Sequence, residues 1–208
     1  ICGYARASFI GACVDNKVTG RGTTVVGGYS NCATPGYGCN FIGGGVNNCA
    51  AGYGGNVVVG GNNNKNCGYN SNTIVGGSSN CIPNDSYPGG VFIGGGFSNK
   101  VASSYSVIAG GRSNDVRAGA CSAILGGRYN CTGGACAAFS TIGGGCYNCI
   151  FGKCGFIGGG TSNCITLQQN DSVVVGGNDN FVCAPCAFVG GGQKNCVVRG
   201  VMSQSGCH

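Results

Sequence analysis

Apolar and small residues recur along this chain in one short pattern that extends from residue 9 to residue 199. Each copy has an Ile or Val, three small residues, two variable residues and a closing Asn, as in IGGGVNN at residues 42–48. The closing Asn occurs twelve times at intervals of 15 to 19 residues. The sequence therefore predicts an array of about twelve copies of one unit. The closing residues are Asn16, Asn31, Asn48, Asn64, Asn80, Asn99, Asn114, Asn130, Asn148, Asn163, Asn180 and Asn195.

The repeated unit predicts β-structure. A unit of about 16 residues is too short for two helices and a turn. Eleven copies also contain a Gly-Gly pair, and each Gly destabilises a helix by about 1 kcal/mol relative to Ala. The apolar part is β-branched and aromatic, which favours strands of about 4–5 residues. Gly-Gly then permits a bend with positive φ. We predict an all-β, β-solenoid or β-roll-like array of about twelve Gly-rich repeats, stapled by disulfides.

The closing Asn has two uses at a turn, because it can cap the turn with its side chain or adopt left-handed φ itself. In stacked copies these residues form a ladder, amide on amide. We interpret them as turn residues and not as ligands.

The repeats indicate a single Gly- and Cys-rich β-repeat domain over residues 1–208, with copies from about 9 to 199 and a terminal half-repeat at 200–208. The first copy has Ala12-Cys13 in place of Gly-Gly, and we interpret this departure as a terminal capping repeat. The segment CIPNDSYPGG at residues 81–90 carries two prolines and predicts a protruding loop.

The residues that flank the central Ile or Val vary together in size. Where the preceding residue is Phe the following one is Gly, as in Phe41/Gly43, and a smaller first residue usually precedes a larger one, as in Thr24/Val26. Both lie on the strand face opposite the central residue. Because such a trade is typical of close packing, we expect this face to meet copies of the chain or a second layer of the same chain. The assembly-face candidates are Phe9, Phe41, Val57, Phe92, Val107, Phe156, Val173 and Phe188.

Eighteen cysteines, close to 9% of the chain, favour an oxidising, extracellular location. One class sits in the turn of the repeat Asn, and a second lies just before the next strand. Bonds across the short connections Cys32/Cys39, Cys131/Cys136, Cys149/Cys154 and Cys183/Cys186 are one alternative, and bonds between equivalent positions of stacked coils are the other. The disulfide candidates are Cys32, Cys39, Cys49, Cys67, Cys81, Cys121, Cys131, Cys136, Cys149, Cys154, Cys164, Cys183, Cys186 and Cys196.

The chain lacks the residues of common catalytic and metal sites. It has five Asp, no Glu and a single His at position 208, so no interior imidazole can activate a nucleophile. Two CxxC spacings, Cys146/Cys149 and Cys183/Cys186, lack a redox or zinc-knuckle context. We predict no enzyme activity, no cofactor and no metal. Eleven scattered basic residues give a net charge of +6 without a basic run, so we expect no nucleic-acid binding.

No apolar run approaches the length of a membrane span, and no signal peptide is visible, although the chain starts at Ile1 and an export signal can already have been removed. Three N-x-S/T sequons occur. We treat Asn84 and Asn170, in connecting loops, as candidate glycosylation sites. We discount Asn130, which is a ladder position.

Units such as FIGGGTSN at residues 156–163 resemble the head repeats of trimeric autotransporter adhesins and the repeats of phage and viral tail-fibre shafts. The resemblance covers residues 9–199. It implies a left-handed β-roll, three chains side by side, and a role in adhesion or fibre structure. This chain differs in its far higher Cys content and in lacking stalk heptads, a membrane anchor and a collagen-like part.

Two functions follow as hypotheses. The first is a structural subunit of an extracellular, disulfide-cross-linked sheath, tube, fibre or coat that assembles from copies of itself. The second is an adhesin head or tail-fibre domain, on a cell or virion surface, that binds a cell-surface or host ligand. A third hypothesis, ice or mineral binding, has less support, because the Thr residues do not form a regular row.

Overall fold

The computed structural model describes residues 8–11, 14–34, 38–84, 88–117, 119–134 and 137–198. The chain divides into two compact units, residues 1–105 and 106–208. Each copy of the repeat forms one coil with two short strands, one odd-numbered and one even-numbered in chain order. Within each unit the coils stack as a parallel β-solenoid, so the predicted all-β solenoid fold is confirmed. The expectation of a single domain stays a prediction.

The first unit contains two parallel sheets, in which each strand pairs with the equivalent strand of the next coil. One sheet consists of β1 (Phe9–Ile10), β3 (Thr24–Val25), β5 (Phe41–Ile42), β7 (Val57–Val58), β9 (Thr73–Ile74) and β11 (Phe92–Ile93). The other consists of β2 (Lys17–Val18), β4 (Cys32–Ala33), β6 (Cys49–Ala50), β8 (Lys65–Asn66), β10 (Cys81–Ile82) and β12 (Lys100–Val101).

The second unit repeats this arrangement. Its odd strands are β13 (Val107–Ile108), β15 (Ala123–Ile124), β17 (Thr141–Ile142), β19 (Phe156–Ile157), β21 (Val173–Val174) and β23 (Phe188–Val189). Its even strands are β14 (Asp115–Val116), β16 (Cys131–Thr132), β18 (Cys149–Ile150), β20 (Cys164–Ile165), β22 (Phe181–Cys183) and β24 (Cys196–Val198).

The second residue of nearly every strand points into the coil and forms the core. On the odd strands this residue is the central Ile or Val of the repeat, and it is fully buried from Val25 to Ile93 and from Ile108 to Val174. On the even strands the inward row contains aliphatic residues such as Ile82 and Ile150, with Asn66 and Thr132 as polar exceptions. Removing these aliphatic side chains from water stabilises the fold by about 1.5–3 kcal/mol for each large one.

The bend between an odd and an even strand uses two left-handed residues. The second Gly of each Gly-Gly pair has φ between 81° and 95°, as expected. The residue just before the closing Asn, for example Asn47 or Ser162, has φ near 55°. The left-handed position is therefore the neighbour of the repeat Asn and not the Asn itself. The second Gly and the residue before the Asn thus adopt the left-handed conformation, and the Asn side chain keeps the capping role.

The structure corrects the predicted strand length. The strands have two residues each, and three in β22 and β24, where the sequence suggested about 4–5. The sequence pattern also missed the even strands, which begin directly after the closing Asn. A coil of about 16 residues contains two strands and two corners, so each strand is short.

Some predicted features lie outside the described residues, namely Ala12-Cys13, Cys136, the half-repeat at 200–208 and residues 85–87 of the proline-containing loop. The described segments contain no helix, and hence none long and apolar enough to cross a membrane.

Candidate functional site

The closing asparagines form a hydrogen-bonded column in each unit. The backbone N–H of each Asn donates to Oδ1 of the Asn on the preceding coil, at 2.7–3.1 Å, from Asn16 to Asn99 and from Asn114 to Asn195. The side-chain Nδ2 of Asn48 donates to the carbonyls of Gly44 and Gly61 at 3.0 and 2.8 Å. Each interior Asn therefore caps its own bend and joins it to the next coil.

These asparagines have little capacity left for a ligand. Both amide hydrogens of Asn64 are used, by Gly60 and Gly77, and its Oδ1 accepts from Asn80. The side chain is fully buried. Because buried amides that lose a partner cost free energy, the hydrogen bonds of this column stabilise the stack.

A second polar column stands directly before the odd strands, and the sequence reasoning missed it. In the first unit the N–H of Asn56 donates to Oδ1 of Asn40 at 3.0 Å, and Asn72 continues the column at 3.2 Å. In the second unit Ser hydroxyls replace these amides: the N–H of Ser140 lies 3.4 Å from Oγ of Ser122. The signal was present in the sequence, because Asn or Ser precedes most of the odd strands.

The odd strands expose an apolar surface, which we call the outer apolar face. In each unit it consists of the first residue of every odd strand and the residue that follows the strand. Phe9 and Phe188 are 55% and 66% exposed, and Phe92, Phe156 and Leu125 are also exposed. Val26, Val59, Val75 and Val175 belong to the same exposed rows, whereas the predicted candidates Phe41, Val57, Val107 and Val173 are half-buried. No second layer of described residues covers this face within either unit.

On this face a Phe ring contacts the Gly two residues later in the same coil. A Cβ added to Gly43 would lie 3.4 Å from Cε1 of Phe41 and 2.4 Å from the carbonyl oxygen of Val59. The same contact to a Phe ring occurs at Gly158, at 3.5 Å from Phe156. The ring therefore lies over the Gly two residues later. The expectation that this face meets a partner stays a prediction, and the exposed apolar area is the observation that supports it.

The first cysteine class forms a row on the outer side of the even strands. Seven of its members begin an even strand, and Cys67 follows β8 directly. The register makes Cys32 and Cys49 neighbours, and it places Cys131, Cys149 and Cys164 on three successive coils. Neighbouring parallel strands lie about 4.8 Å apart, within the usual Cα range of disulfides. The described cysteines are thiols in the structure.

Two thiol pairs in this row share a hydrogen bond. A hydrogen bond from the Cys131 thiol lowers the pKa of Cys149 to about 7, helped by the Arg117 guanidinium, and raises the pKa of Cys131. In the first unit the hydrogen bond from Cys49 lowers the pKa of Cys67 and raises that of Cys49. By contrast, burial raises the pKa of Cys164 to about 11. The thiol hydrogen bond of each pair therefore joins neighbouring coils.

The described members of the second cysteine class lie at the opposite corner, two residues before an odd strand. We call Cys121, Cys154 and Cys186 of the second unit the corner cysteines. All three are exposed and have left-handed φ of 62°, 53° and 55°. In the first unit Cys39 has the equivalent place, and its sulfur packs over Gly22 of the preceding coil, 2.7 Å from where a Cβ would stand.

The remaining candidate residues are dispersed. Asp115 pairs with Arg117 at 2.7 Å, whereas Asp15, Asp171 and Asp179 are exposed. Cys146 lies in a turn and accepts a hydrogen bond of 3.1 Å from Nε of Arg128, and Cys183 ends β22. The two CxxC spacings thus join a turn or corner to a strand. Within the described segments no three His, Cys or Asp residues form a group that could hold a metal ion.

Both candidate glycosylation sites are on the surface. Asn84 and Asn170 are exposed, and Oδ1 of Asn170 accepts a hydrogen bond of 3.0 Å from the Lys153 backbone. Asn130, the sequon in the ladder, is fully buried, and its Nδ2 donates to two glycine carbonyls.

Comparison with known proteins adds no family. No protein-family model matches the chain, and no curated protein is significantly similar to it.

Proposed function

We propose that this chain is a structural subunit of an extracellular assembly, a sheath, tube, fibre or coat hardened by disulfides. The observation that carries the proposal is the outer apolar face. Every coil except that of Thr141 and Gly143 places at least one Phe, Val or Leu side chain on it, and many of these are exposed in the single chain. Soluble monomers rarely leave such a continuous apolar surface in water.

The occupant of this face is a second copy of the chain. The face presents side chains at the spacing of one coil, about 4.8 Å. A partner can place its own side chains between successive rows only if it has the same spacing. Another copy has that spacing along its whole length, and an isologous contact lets one surface serve both partners.

Two further features support a structural role. The buried Asn columns use their hydrogen-bonding groups within the chain, which gives a rigid scaffold and leaves little polar chemistry available. The abundance of cysteine favours an oxidising environment, where such thiols can cross-link.

A double variant tests the proposal. Phe92→Asp with Phe156→Asp places one charge on the outer apolar face of each unit, at exposed positions where the fold itself should tolerate it. We expect the reduced wild type to form multimers by light scattering, and the variant to remain monomeric with an unchanged circular dichroism spectrum. Asn62→Asp with Asn178→Asp, at exposed turn positions, is the matched control.

Normal assembly of the Phe variant, or a wild type that stays monomeric over the whole soluble concentration range, would contradict the proposal. Boiling in detergent separates the two functions considered from the sequence. A polymer subunit stays insoluble until reductant is added, whereas an adhesin head runs as a discrete soluble oligomer. Negative-stain microscopy of the native material shows the type of particle directly.

A further inference from the structure

Among the described residues, the corner cysteines have no cysteine neighbour along their own row. The equivalent corner positions on the coils between them are Phe139 and Asp171, as the backbone bonds from Phe139 to Ala120 and from Cys154 to Ala138 show. Successive corner cysteines are therefore two coils, or roughly 10 Å, apart. Disulfides require Cα separations of about 4.4–6.8 Å, so these residues cannot bond to one another within one chain.

The strand cysteines, in contrast, contact groups of their own row. The Cys149 thiol shares a hydrogen bond with Cys131 on the preceding coil, and the Arg117 guanidinium is its charged neighbour. The Cys183 sulfur accepts a hydrogen bond from Oγ1 of Thr166, at 3.5 Å, again on the preceding coil. These contacts run along the stack and not across the corner to Cys154 or Cys186. Loop staples such as Cys149/Cys154 would have to break them.

The backbone at the corner does not select cysteine. The same left-handed position holds Gly22 and Gly90 in the first unit and Phe139 and Asp171 between the corner cysteines, at φ of 62°, 66°, 59° and 57°. Cysteine at three such positions in one unit is therefore not explained by turn chemistry. Each side chain projects from a corner into solvent, where another molecule can reach it.

We propose that Cys121, Cys154 and Cys186 form disulfides with the same row of a second copy, whereas Cys131 and Cys149 bond between coils of one chain. This inference rests on the proposed function, because it requires copies that assemble. The corner cysteines are equally spaced, two coils apart. A partner can therefore match all three in parallel, or in antiparallel orientation with Cys154 facing Cys154.

The oxidant in this scheme is a small-molecule disulfide of the oxidised glutathione class. A corner thiolate attacks it, forms a mixed disulfide and releases one small thiol. The corner thiolate of the second copy then attacks the protein sulfur of the mixed disulfide and releases the second small thiol. Two protein thiols lose two electrons and two protons, and one small disulfide becomes two small thiols.

Isotope mixing tests which bonds cross between chains. Unlabelled and ¹⁵N-labelled chains are mixed in reductant, allowed to assemble, oxidised with glutathione disulfide, and digested for mass spectrometry. We expect linked peptides with one heavy and one light partner to contain Cys121, Cys154 or Cys186 on both sides. Linked peptides of Cys131 and Cys149 should carry the same isotope on both sides.

A triple variant gives the second readout. Cys121→Ser, Cys154→Ser and Cys186→Ser should reduce reductant-sensitive multimers on a denaturing gel at least fivefold, and the turn Ser residues at φ of 53–59° show that Ser fits this conformation. The control Cys131→Ser with Cys149→Ser should cross-link like wild type. Corner cysteines found only in same-isotope pairs, or a triple variant that cross-links like wild type, would overturn the inference.

The proposed function can fail separately from this inference. Multimer size in reductant, measured before oxidation, reports the outer apolar face alone. If reduced wild type assembles and the corner cysteines bond within one chain, the function stands and the cross-link assignment falls. If reduced wild type does not assemble at any concentration, both fall.

Discussion

The backbone N–H of Asn64 donates a hydrogen bond of 3.0 Å to Oδ1 of Asn48 on the preceding coil. The same contact recurs between the closing asparagines of successive coils within each unit, so one residue type both caps a bend and fixes the register of the stack. Much of the cohesion between coils outside the strands thus comes from side-chain amides.

Asn64→Ala should strongly destabilise the chain. The change leaves the Asn80 N–H and the carbonyl of Gly60 without their side-chain partner and removes one of the bonds to Gly77. Each buried unsatisfied group costs about 1–3 kcal/mol, so we expect a loss of at least about 3 kcal/mol in unfolding free energy by denaturant titration. Asn62→Ala, exposed two residues earlier, is the control and should change stability by less than about 0.5 kcal/mol. Equal effects of the two variants would refute the role of the column.

The two glycines of one pair should respond oppositely to alanine. At Gly127, with φ of 81°, a Cβ would lie 2.1 Å from the carbonyl oxygen of Gly145, so Gly127→Ala should cost more than about 2 kcal/mol. At Gly126 a Cβ meets nothing within 4 Å. Gly126→Ala should therefore be neutral or stabilise by up to about 1 kcal/mol, because it restricts the unfolded chain. Thermal unfolding of both variants checks this, and similar midpoints would contradict it.

Thr132→Val should stabilise the second unit. Thr132 is fully buried between Val116 and Ile150 of the neighbouring coils, and its Oγ1 has no hydrogen-bond partner among the described residues. Val retains the branched shape and removes an unsatisfied hydroxyl, so unfolding free energy should rise by about 1–2 kcal/mol. Thr132→Ser, which keeps the hydroxyl and removes the methyl group, should lower it. If Thr132→Val proved the less stable of the two, the hydroxyl would have a partner.

Alkylation of the reduced protein should distinguish Cys149 from Cys164. The hydrogen bond from Cys131 and the charge of Arg117 lower the pKa of Cys149 to about 7, and burial raises the pKa of Cys164 to about 11. A lower pKa means more thiolate at a given pH, so iodoacetamide should label Cys149 with a midpoint near pH 7, well below that of Cys164. Cys131→Ala removes the donor and should raise the Cys149 midpoint. An unchanged midpoint in that variant would show that the two thiols do not interact.

The sequence by itself determined the repeat, its inward Ile or Val row, and the bend. These features depend on local chemistry that recurs every coil: β-branched side chains favour strands, the second Gly takes positive φ, and Asn caps a turn. That is why the solenoid and the placement of Ile42 or Ile157 in the core followed from the pattern.

Only the tertiary structure decided how each coil divides into strands and corners, and which outward residues contact one another. It revealed the even strands, the polar column of Asn56 and Ser140, and the ring of Phe41 lying over Gly43. It also separated cysteines that share a register, such as Cys131 and Cys149, from corner cysteines that alternate with Phe139 and Asp171. The physical reason is that these relations join residues of neighbouring coils. Coil lengths vary from 15 to 19 residues, so spacing along the chain does not fix which side chains face each other in the stack.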